Sequence, residues 1–200
     1  MLSLIYHRPG EAGERVLVGR LASIVSAIRG EPVESLMLEE VAGGSARPRG
    51  RAVLLMQLRG GHWLSLCRAL GACPETVPPG VTAAWIYSQA AGLGGSVYLV
   101  YMRARRLASL QLEDLGRVAG VLESAGLRVF LASIERPGGE PSLPEKHGPG
   151  DGCVAVPMSM FRGGIYRSAL LLAERLGCRA VEPMARSGLG VLASWLGLLH

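Results

Sequence analysis

The chain has 200 residues, of which 49% are hydrophobic and 18% charged, and its formal net charge is +5. This balance is typical of a globular chain with a sizeable core and excludes a disordered one. No run of about 18 uncharged apolar residues occurs, so no transmembrane helix is predicted. The first residues lack a basic region, a long apolar stretch and a cleavage site. We therefore expect no secretory signal and predict a cytoplasmic location.

The first half of the chain alternates short apolar runs with segments of helical spacing. Helices are indicated where apolar residues recur every three or four positions and a glycine follows the last of them. Short apolar runs bounded by turn residues indicate buried strands. On these grounds we predict strands over residues 2–6, 33–38, 52–58 and 75–77, and helices over residues 14–28, 63–70 and 81–91.

The same pattern restarts after the glycine-rich segment 92–95, which we interpret as a linker. In the second half we predict strands over residues 97–102, 127–134, 153–161 and 180–182, and helices over residues 110–124, 168–176 and 190–198. Strands that alternate with helices favour parallel sheets with right-handed crossovers. The predicted fold is α/β, with two similar lobes, residues 1–93 and 94–200, each a four-stranded parallel sheet flanked by helices.

A short motif supports an internal duplication. The segment 59–63 (Arg-Gly-Gly-His-Trp) follows an apolar strand, and the segment 162–166 (Arg-Gly-Gly-Ile-Tyr) follows the corresponding strand of the second half. Two glycines just past a strand permit a turn or the close approach of a ligand to the backbone. The copies differ most at the fourth position, where the first has His62 and the second Ile165. We infer that the first copy kept the chemistry.

Three side chains of the first half follow strands one, two and three: His7, Glu39 and His62. In a parallel sheet, ligands bind beyond the carboxyl ends of the strands, so the topology gathers these residues at one edge. Two imidazoles and a carboxylate suit a borderline divalent cation, and an imidazole can also accept a proton near neutral pH. The alternative for each residue alone is a solvated or hydrogen-bonded side chain without function.

The basic residues point to an acidic small molecule. All but one of the 21 Lys and Arg residues are Arg, and they are scattered along the chain with few stacking aromatics, which argues against nucleic-acid binding. The planar guanidinium suits carboxylates, so a polycarboxylate ligand is favoured. No Gly-Lys-Ser/Thr phosphate loop is present, and no Gly-x-Gly-x-x-Gly follows the first strand, so ATP-driven chemistry and a dinucleotide dehydrogenase are not expected.

Four cysteines are present, and none has the two-residue spacing of a zinc knuckle or a redox motif. We expect buried unpaired thiols, as is usual in a cytoplasmic protein. The chain contains no Asn, a depletion typical of thermophilic proteins, in which disulfides in the cytoplasm are an alternative. The four residues are Cys67, Cys73, Cys153 and Cys178.

In the order of its elements the chain resembles the two-lobed sirohydrochlorin cobalt chelatases of cobalamin biosynthesis, which belong to the ATP-independent class II chelatases. The family's opening strand ends in a His motif, its second strand in Glu, and its third leads into a Gly-His turn. The segments 6–9 (Tyr-His-Arg-Pro), 36–39 (Leu-Met-Leu-Glu) and 60–62 (Gly-Gly-His) occupy these places. Here Arg and Pro follow the first His, where the family has Gly-Ser.

The resemblance implies that His7 and His62 bind the metal and take protons from the pyrrole nitrogens, with Glu39 in support. The second half has Met102 and Ile165 in place of the histidines and would form a wall of the cleft. The acidic substrate would be held by arginines beyond the strand ends, of which we name Arg8, Arg59, Arg103, Arg105 and Arg162.

The resulting hypothesis is an enzyme that inserts a divalent metal, cobalt favoured over nickel or iron, into sirohydrochlorin. The metal is a substrate, and no permanently bound cofactor, nucleic acid or membrane is expected; a homodimer is left open. The alternatives are a non-catalytic chelatase-fold protein that binds a metal or a tetrapyrrole, and an unrelated α/β ligand-binding domain.

Overall fold

The computed structural model describes residues 1–9, 12–93, 95–104, 106–143 and 152–199, and these form two all-parallel four-stranded sheets flanked by helices. This confirms the predicted fold class. The first sheet has the order β2-β1-β3-β4, with β1 at Leu2–Tyr6, β2 at Val33–Met37, β3 at Arg51–Leu54 and β4 at Glu75–Thr76. The second has the order β6-β5-β7-β8, with β5 at Ser96–Met102, β6 at Arg128–Ile134, β7 at Val154–Pro157 and β8 at Arg179–Ala180.

Eight helices are assigned within the described ranges. Those of the first half are α1 (Ala12–Arg29), α2 (Leu38–Ala42), α3 (Gly61–Leu70) and α4 (Pro79–Ala90). Those of the second half are α5 (Ala108–Ser124), α6 (Gly164–Leu176), α7 (Met184–Ser187) and α8 (Leu189–Gly197). No helix in the described part of the chain combines the length and the apolar character needed to cross a bilayer.

The two sheets repeat each other in register. Leu2 of β1 pairs with Val33 and Arg51, and Val97 of β5 pairs in the same way with Val129 and Val154. Since the register of a sheet decides which side chains share a face, this match places equivalent residues of the halves in equivalent positions. The duplication expected from the sequence therefore extends to the pairing of the strands.

Strands three and seven end earlier than predicted, and they end in the same way. The N–H of Met56 donates to the carbonyl of Leu54 at 2.8 Å, and the N–H of Ser159 donates to the carbonyl of Pro157 at 2.8 Å. Each bond closes a tight turn that takes the chain out of the sheet. The apolar residues that follow lie over the edge of the sheet, where the sequence pattern had indicated more strand.

The apolar side chains form three cores. Along β1, Leu4 faces the core that both halves share, and Ile5 faces an outer core with α2 and α3. Along β5, Leu99 faces the shared core and Val100 an outer core with α6. This alternation follows from the two-residue period of a strand. The shared core contains buried residues of α1, α4, α5 and α8, so these helices lie between the two sheets.

The helices between the sheets make reciprocal contacts across the two halves. The last helix of the first half, α4, packs on α5, the first long helix of the second half, and α8 packs on α1. This is the contact pattern of a symmetric pair, in which each partner offers the same surfaces. The approach of α8 to α1 requires Gly197, because a Cβ added there would lie 2.6 Å from Cγ2 of Ile28. The relation of the two lobes is therefore set by packing at a shared apolar core.

All four cysteines are paired in the structure. Cys67 is bonded to Cys73 and Cys153 to Cys178, and no free cysteine is found among the described residues. The expectation of unpaired thiols is therefore wrong, and the alternative that the sequence left open is correct. The fold brings each pair together at the start of an edge strand, since Cys73 precedes β4 and Cys178 precedes β8. Sequence spacing could not show this, because both contacts depend on how a helix returns to its sheet.

The two disulfides should differ in their contribution to stability. Cys153 and Cys178 are 25 residues apart and Cys67 and Cys73 only 6. In the chain-entropy account the longer loop contributes about 3.5 kcal/mol and the shorter about 2 kcal/mol to the free energy of unfolding. We expect the double substitution of Cys153 and Cys178 by Ala to lower the Tm more than that of the other pair. Calorimetry of the two double variants measures the difference, and the reverse order would contradict this account.

Candidate active site

A cleft of about 1160 Å³ lies between the carboxyl ends of the two sheets. Its lining includes His7 and His62 from the first half and Met102 and Ile165 from the second. Pockets for drug-sized ligands are typically about 300–1,000 Å³, so the cleft is large enough for a ligand of greater size. It lies where parallel sheets bind ligands, because the loops that follow the strands converge there.

The two histidines predicted to act together are adjacent. Their ring centroids are 4.8 Å apart, and the rings are tilted by 59°. His7 directly follows β1, and His62 is in the first turn of α3. Ligand nitrogens lie about 2 Å from a bound transition-metal ion, so two rings at this distance are within reach of a single ion.

The backbone fixes the tautomer of neutral His7. Its Nδ1 lies 2.9 Å from the carbonyl oxygen of Arg8, which can only accept a hydrogen bond, so Nδ1 carries the proton. The lone pair is then on Nε2, which lies 3.5 Å from Oε1 of Glu39. Two acceptors that converge in this way favour a cation between them, either a proton or a metal ion. Glu39, predicted at a strand end, is placed in the first turn of α2.

Glu39 is held in its charged form. Burial raises the pKa of its carboxyl, but the backbone N–H groups of Glu39 and Arg8 and the charges of His7 and Arg8 outweigh burial and leave the pKa below its usual value. The N–H of Arg8 donates to Oε1 of Glu39 at 3.3 Å. The carboxylate is therefore a fixed negative charge beside His7.

The pKa of His62 is lowered. Partial removal from water is the largest cause, repulsion by His7 is the second, and Glu39 acts weakly in the opposite direction. A lowered pKa keeps the imidazole neutral at neutral pH, with its lone pair available to a metal or a proton. The pair thus places one neutral imidazole, that of His62, beside a second ring that faces a carboxylate.

The second half holds the same positions with different chemistry. Met102 and Ile165 take the places of the histidines, and Glu135 takes that of Glu39. The Gly-Gly turn of the second half is also blocked by a neighbouring side chain. A Cβ added at Gly164 would lie 2.2 Å from Cβ of Pro137. At the equivalent Gly61, no described atom lies within 4 Å of such a Cβ. Among the residues that the structure describes, only those of the first half therefore offer imidazoles and an open backbone to the cleft.

Arginines surround the cleft. Arg8, Arg103 and Arg162, predicted as substrate contacts, line it. Arg105 lies outside the described residues. Sequence patterns did not single out Arg68 and Arg167, which also line the cleft, because they lie within α3 and α6 and not at strand ends. Arg106 lines the cleft as well.

Arg59 does not line the cleft, although it was expected to contact substrate. Its backbone N–H and its Nε donate to Asp114 of α5 at 2.9 and 3.0 Å, and its guanidinium also contacts Glu113 at 3.2 Å. The first residue of the Arg-Gly-Gly motif thus joins the two lobes. Its pKa is raised, chiefly by the hydrogen bonds that its guanidinium donates to Asp114.

The last residue of the motif has an equivalent place in both copies. The guanidinium of Arg59 lies 6.0 Å from the ring centroid of Trp63, and that of Arg162 lies 5.4 Å from the centroid of Tyr166. Both distances are within the range of cation–π attraction. Arg162 also donates to Glu182, from Nε at 2.9 Å. The repeated motif therefore builds a guanidinium–aromatic pair beside the cleft in each half.

The site is not a closed metal centre. Among the described residues, no group of three or more His, Cys, Asp and Glu side chains is arranged to hold a metal ion. Two imidazoles and one nearby carboxylate form an open, weak set of donors, and structural metal sites typically have four protein ligands. Such a set can hold an ion briefly and can accept protons.

Comparisons with known proteins gave no match, whether with family models, with curated proteins or with solved structures.

Removing the carboxylate between the lobes should destabilise the protein. The side chain of Asp114 is 7% exposed, and its loss leaves the partly buried guanidinium of Arg59 without its main partner. We expect Asp114→Ala to lower the free energy of unfolding by about 3 kcal/mol, measured by urea denaturation. The control is Glu135→Ala, whose contact with Arg103 is 4.0 Å long and exposed, with an expected loss below about 1 kcal/mol. Equal losses would contradict the assigned role.

The titration of His62 should follow its neighbours. We expect NMR to give His62 a pKa below 6.5, the ordinary value. Glu39→Gln should lower this pKa further, because the carboxylate favours the protonated ring. His7→Ala should raise it, because a repelling group is removed and solvent access increases. A rise in Glu39→Gln would show that the charge of Glu39 does not act on His62.

Proposed function

We propose that this protein inserts a divalent metal ion, cobalt favoured, into sirohydrochlorin without ATP, as a member of the class II chelatases in cobalamin or tetrapyrrole biosynthesis. The observation that carries the proposal is the His7–His62 pair, with rings 4.8 Å apart, on one wall of a large cleft lined by arginines. The metal ion and the macrocycle are both substrates.

The reaction exchanges two protons for one ion. A metal-free tetrapyrrole loses its two inner N–H protons, and a divalent ion takes their place, so the charge of the ring core is unchanged. Two bases are needed, and His7 Nε2 and the neutral His62 supply them. Oε1 of Glu39 lies 3.5 Å from His7 Nε2, so a proton taken there faces a carboxylate oxygen. The imidazoles then return their protons to solvent.

The open donor set also suits transfer of the ion. An ion held by four protein ligands would stay with the protein, whereas two imidazoles compete weakly with the four nitrogens of a macrocycle. Imidazole is a moderate ligand for late first-row divalent ions, and Glu39 adds a charge without closing the site. The donor set therefore suits an ion that is bound transiently as a substrate.

The arginines give the cleft its preference for acids. Sirohydrochlorin carries carboxylates around its rim, and each can accept two parallel hydrogen bonds from a guanidinium. Arg8 and Arg68 lie in the first half and Arg103, Arg106 and Arg167 in the second. Arginines on both walls can hold the rim while the ring centre faces the imidazoles.

A second candidate is a non-catalytic chelatase-fold protein that binds a metal or a tetrapyrrole. The absence of a three-residue metal cluster among the described residues favours it, because binding of the macrocycle alone needs no metal ligands. It shares the cleft and the arginines with the enzyme, so only turnover distinguishes the two.

The enzyme is tested by metal insertion in the absence of ATP. Purified protein, Co²⁺ and sirohydrochlorin are mixed anaerobically, and the change in the absorbance spectrum is followed. We expect wild type to accelerate insertion and His62→Ala to lose about 100-fold or more of the rate, the typical contribution of a general base.

The matched control is Ile165→Ala, which truncates the equivalent side chain of the other wall and removes no base. We expect its rate to stay within a few-fold of wild type. If the protein binds the tetrapyrrole without accelerating insertion, the enzyme proposal is refuted and the non-catalytic function is supported. A protein that binds neither the tetrapyrrole nor Co²⁺ would end both.

A further inference from the structure

The amide of Gln57 lies among the buried apolar residues that form the floor of the cleft. Gln57 follows β3 within the run 52–58, where every other residue is apolar. Its residue is only 3% exposed, yet it lines the cleft. The surrounding lining includes Leu55, Leu58, Met158 and Met160, each of which is also buried. A polar group in such a place needs an explanation, because an apolar side chain of similar size would fill the space.

The amide of Gln57 is only half satisfied. Its Nε2 donates to the thioether sulfur of Met184 at 3.7 Å, a weak bond. Its Oε1 is buried and has no hydrogen-bond partner within the described ranges. A buried carbonyl oxygen without a donor destabilises a fold. The sulfur of Met184 satisfies the nitrogen because it can accept a hydrogen bond, but it has no hydrogen to donate to the carbonyl oxygen.

A second glutamine in the same cleft shows the ordinary arrangement. Gln111 of α5 is 6% exposed, its Oε1 accepts from the N–H of Ala104 at 2.9 Å, and its Nε2 donates to the carbonyl of Met102 at 2.8 Å. Both ends of that amide support the loop that follows β5. Gln57 supports no loop in this way, so the structural reason that accounts for Gln111 does not account for Gln57.

We propose that Gln57 is a ligand-binding residue whose carbonyl accepts a hydrogen bond from an N–H group of the bound molecule. This inference rests on the proposed function and assigns the donor as a pyrrole N–H of the metal-free macrocycle. Metal insertion removes the inner N–H groups, so the loaded ring cannot make this bond. Gln57 therefore distinguishes the substrate from the product of the same site.

The rest of the floor is consistent with a flat apolar body. Met56, Met158 and Met160 present thioethers, which are polarisable and make favourable contacts with aromatic rings. These groups add contact area without distinguishing a metal-free ring from a loaded one. Within this group of residues, the carbonyl of Gln57 is the acceptor that can tell the two states apart.

The test compares two ligands and two variants of the full chain. The probes are uroporphyrin, an octacarboxylate macrocycle with inner N–H groups, and its zinc complex, which has none. We expect Gln57→Met to weaken the binding of the metal-free ring about tenfold and that of the zinc complex less than twofold, measured by fluorescence quenching. The Tm of this variant should stay equal to or exceed that of wild type, because an unpartnered buried oxygen is removed.

Gln111→Met is the matched control. It should lower the Tm, because two hydrogen bonds of the loop are lost, and it should leave the ratio of the two affinities as in wild type. Equal weakening of both ligands by Gln57→Met, or a lower Tm with unchanged affinities, would overturn the inference. Failure of wild type to bind either macrocycle would instead refute the proposed function, so the two failures are distinguishable.

Discussion

Two ion pairs across the lobes hold the cleft walls in place. Arg59 of the first half is bound to Asp114 of α5, and Arg186 of the second half donates from Nε to Oε1 of Glu14 in α1 at 2.6 Å. Glu14 is fully buried. A buried carboxylate is tolerated only with a partner, so the loss of either arginine would leave an uncompensated buried charge between the lobes. Each pair joins an arginine that follows a strand of one half to the first long helix of the other.

The site depends on this arrangement because its groups come from separate elements. The imidazole of His7 is placed by β1 and that of His62 by α3, while the arginines come from both halves. None of these contacts is local in sequence. The duplicated framework supplies two equivalent walls, and one of them has two imidazoles at the positions where the other has a thioether and a hydrocarbon.

The order of elements and the convergence of His7 and His62 follow from local patterns. Glycines at the predicted helix ends, such as Gly71 and Gly177, have positive φ, which explains why the composition marked those ends so well. The four-residue α7 is too short to show a period, and it was not predicted. The partner of Arg59 is on a helix of the other lobe. Sequence patterns therefore could not show that the Arg59 side chain is held away from the cleft. The disulfides were missed for the same reason.

The contact of Pro137 with Gly164 makes the two walls of the cleft different. A planar ligand between the walls has one face toward imidazoles and an open backbone, and the other toward a thioether and a hydrocarbon. The two faces of the ring are therefore inequivalent once it is bound. Under the proposed function, the described side chains would assist an ion from one side of the ring alone, and each chain would carry a single centre of exchange despite its doubled architecture.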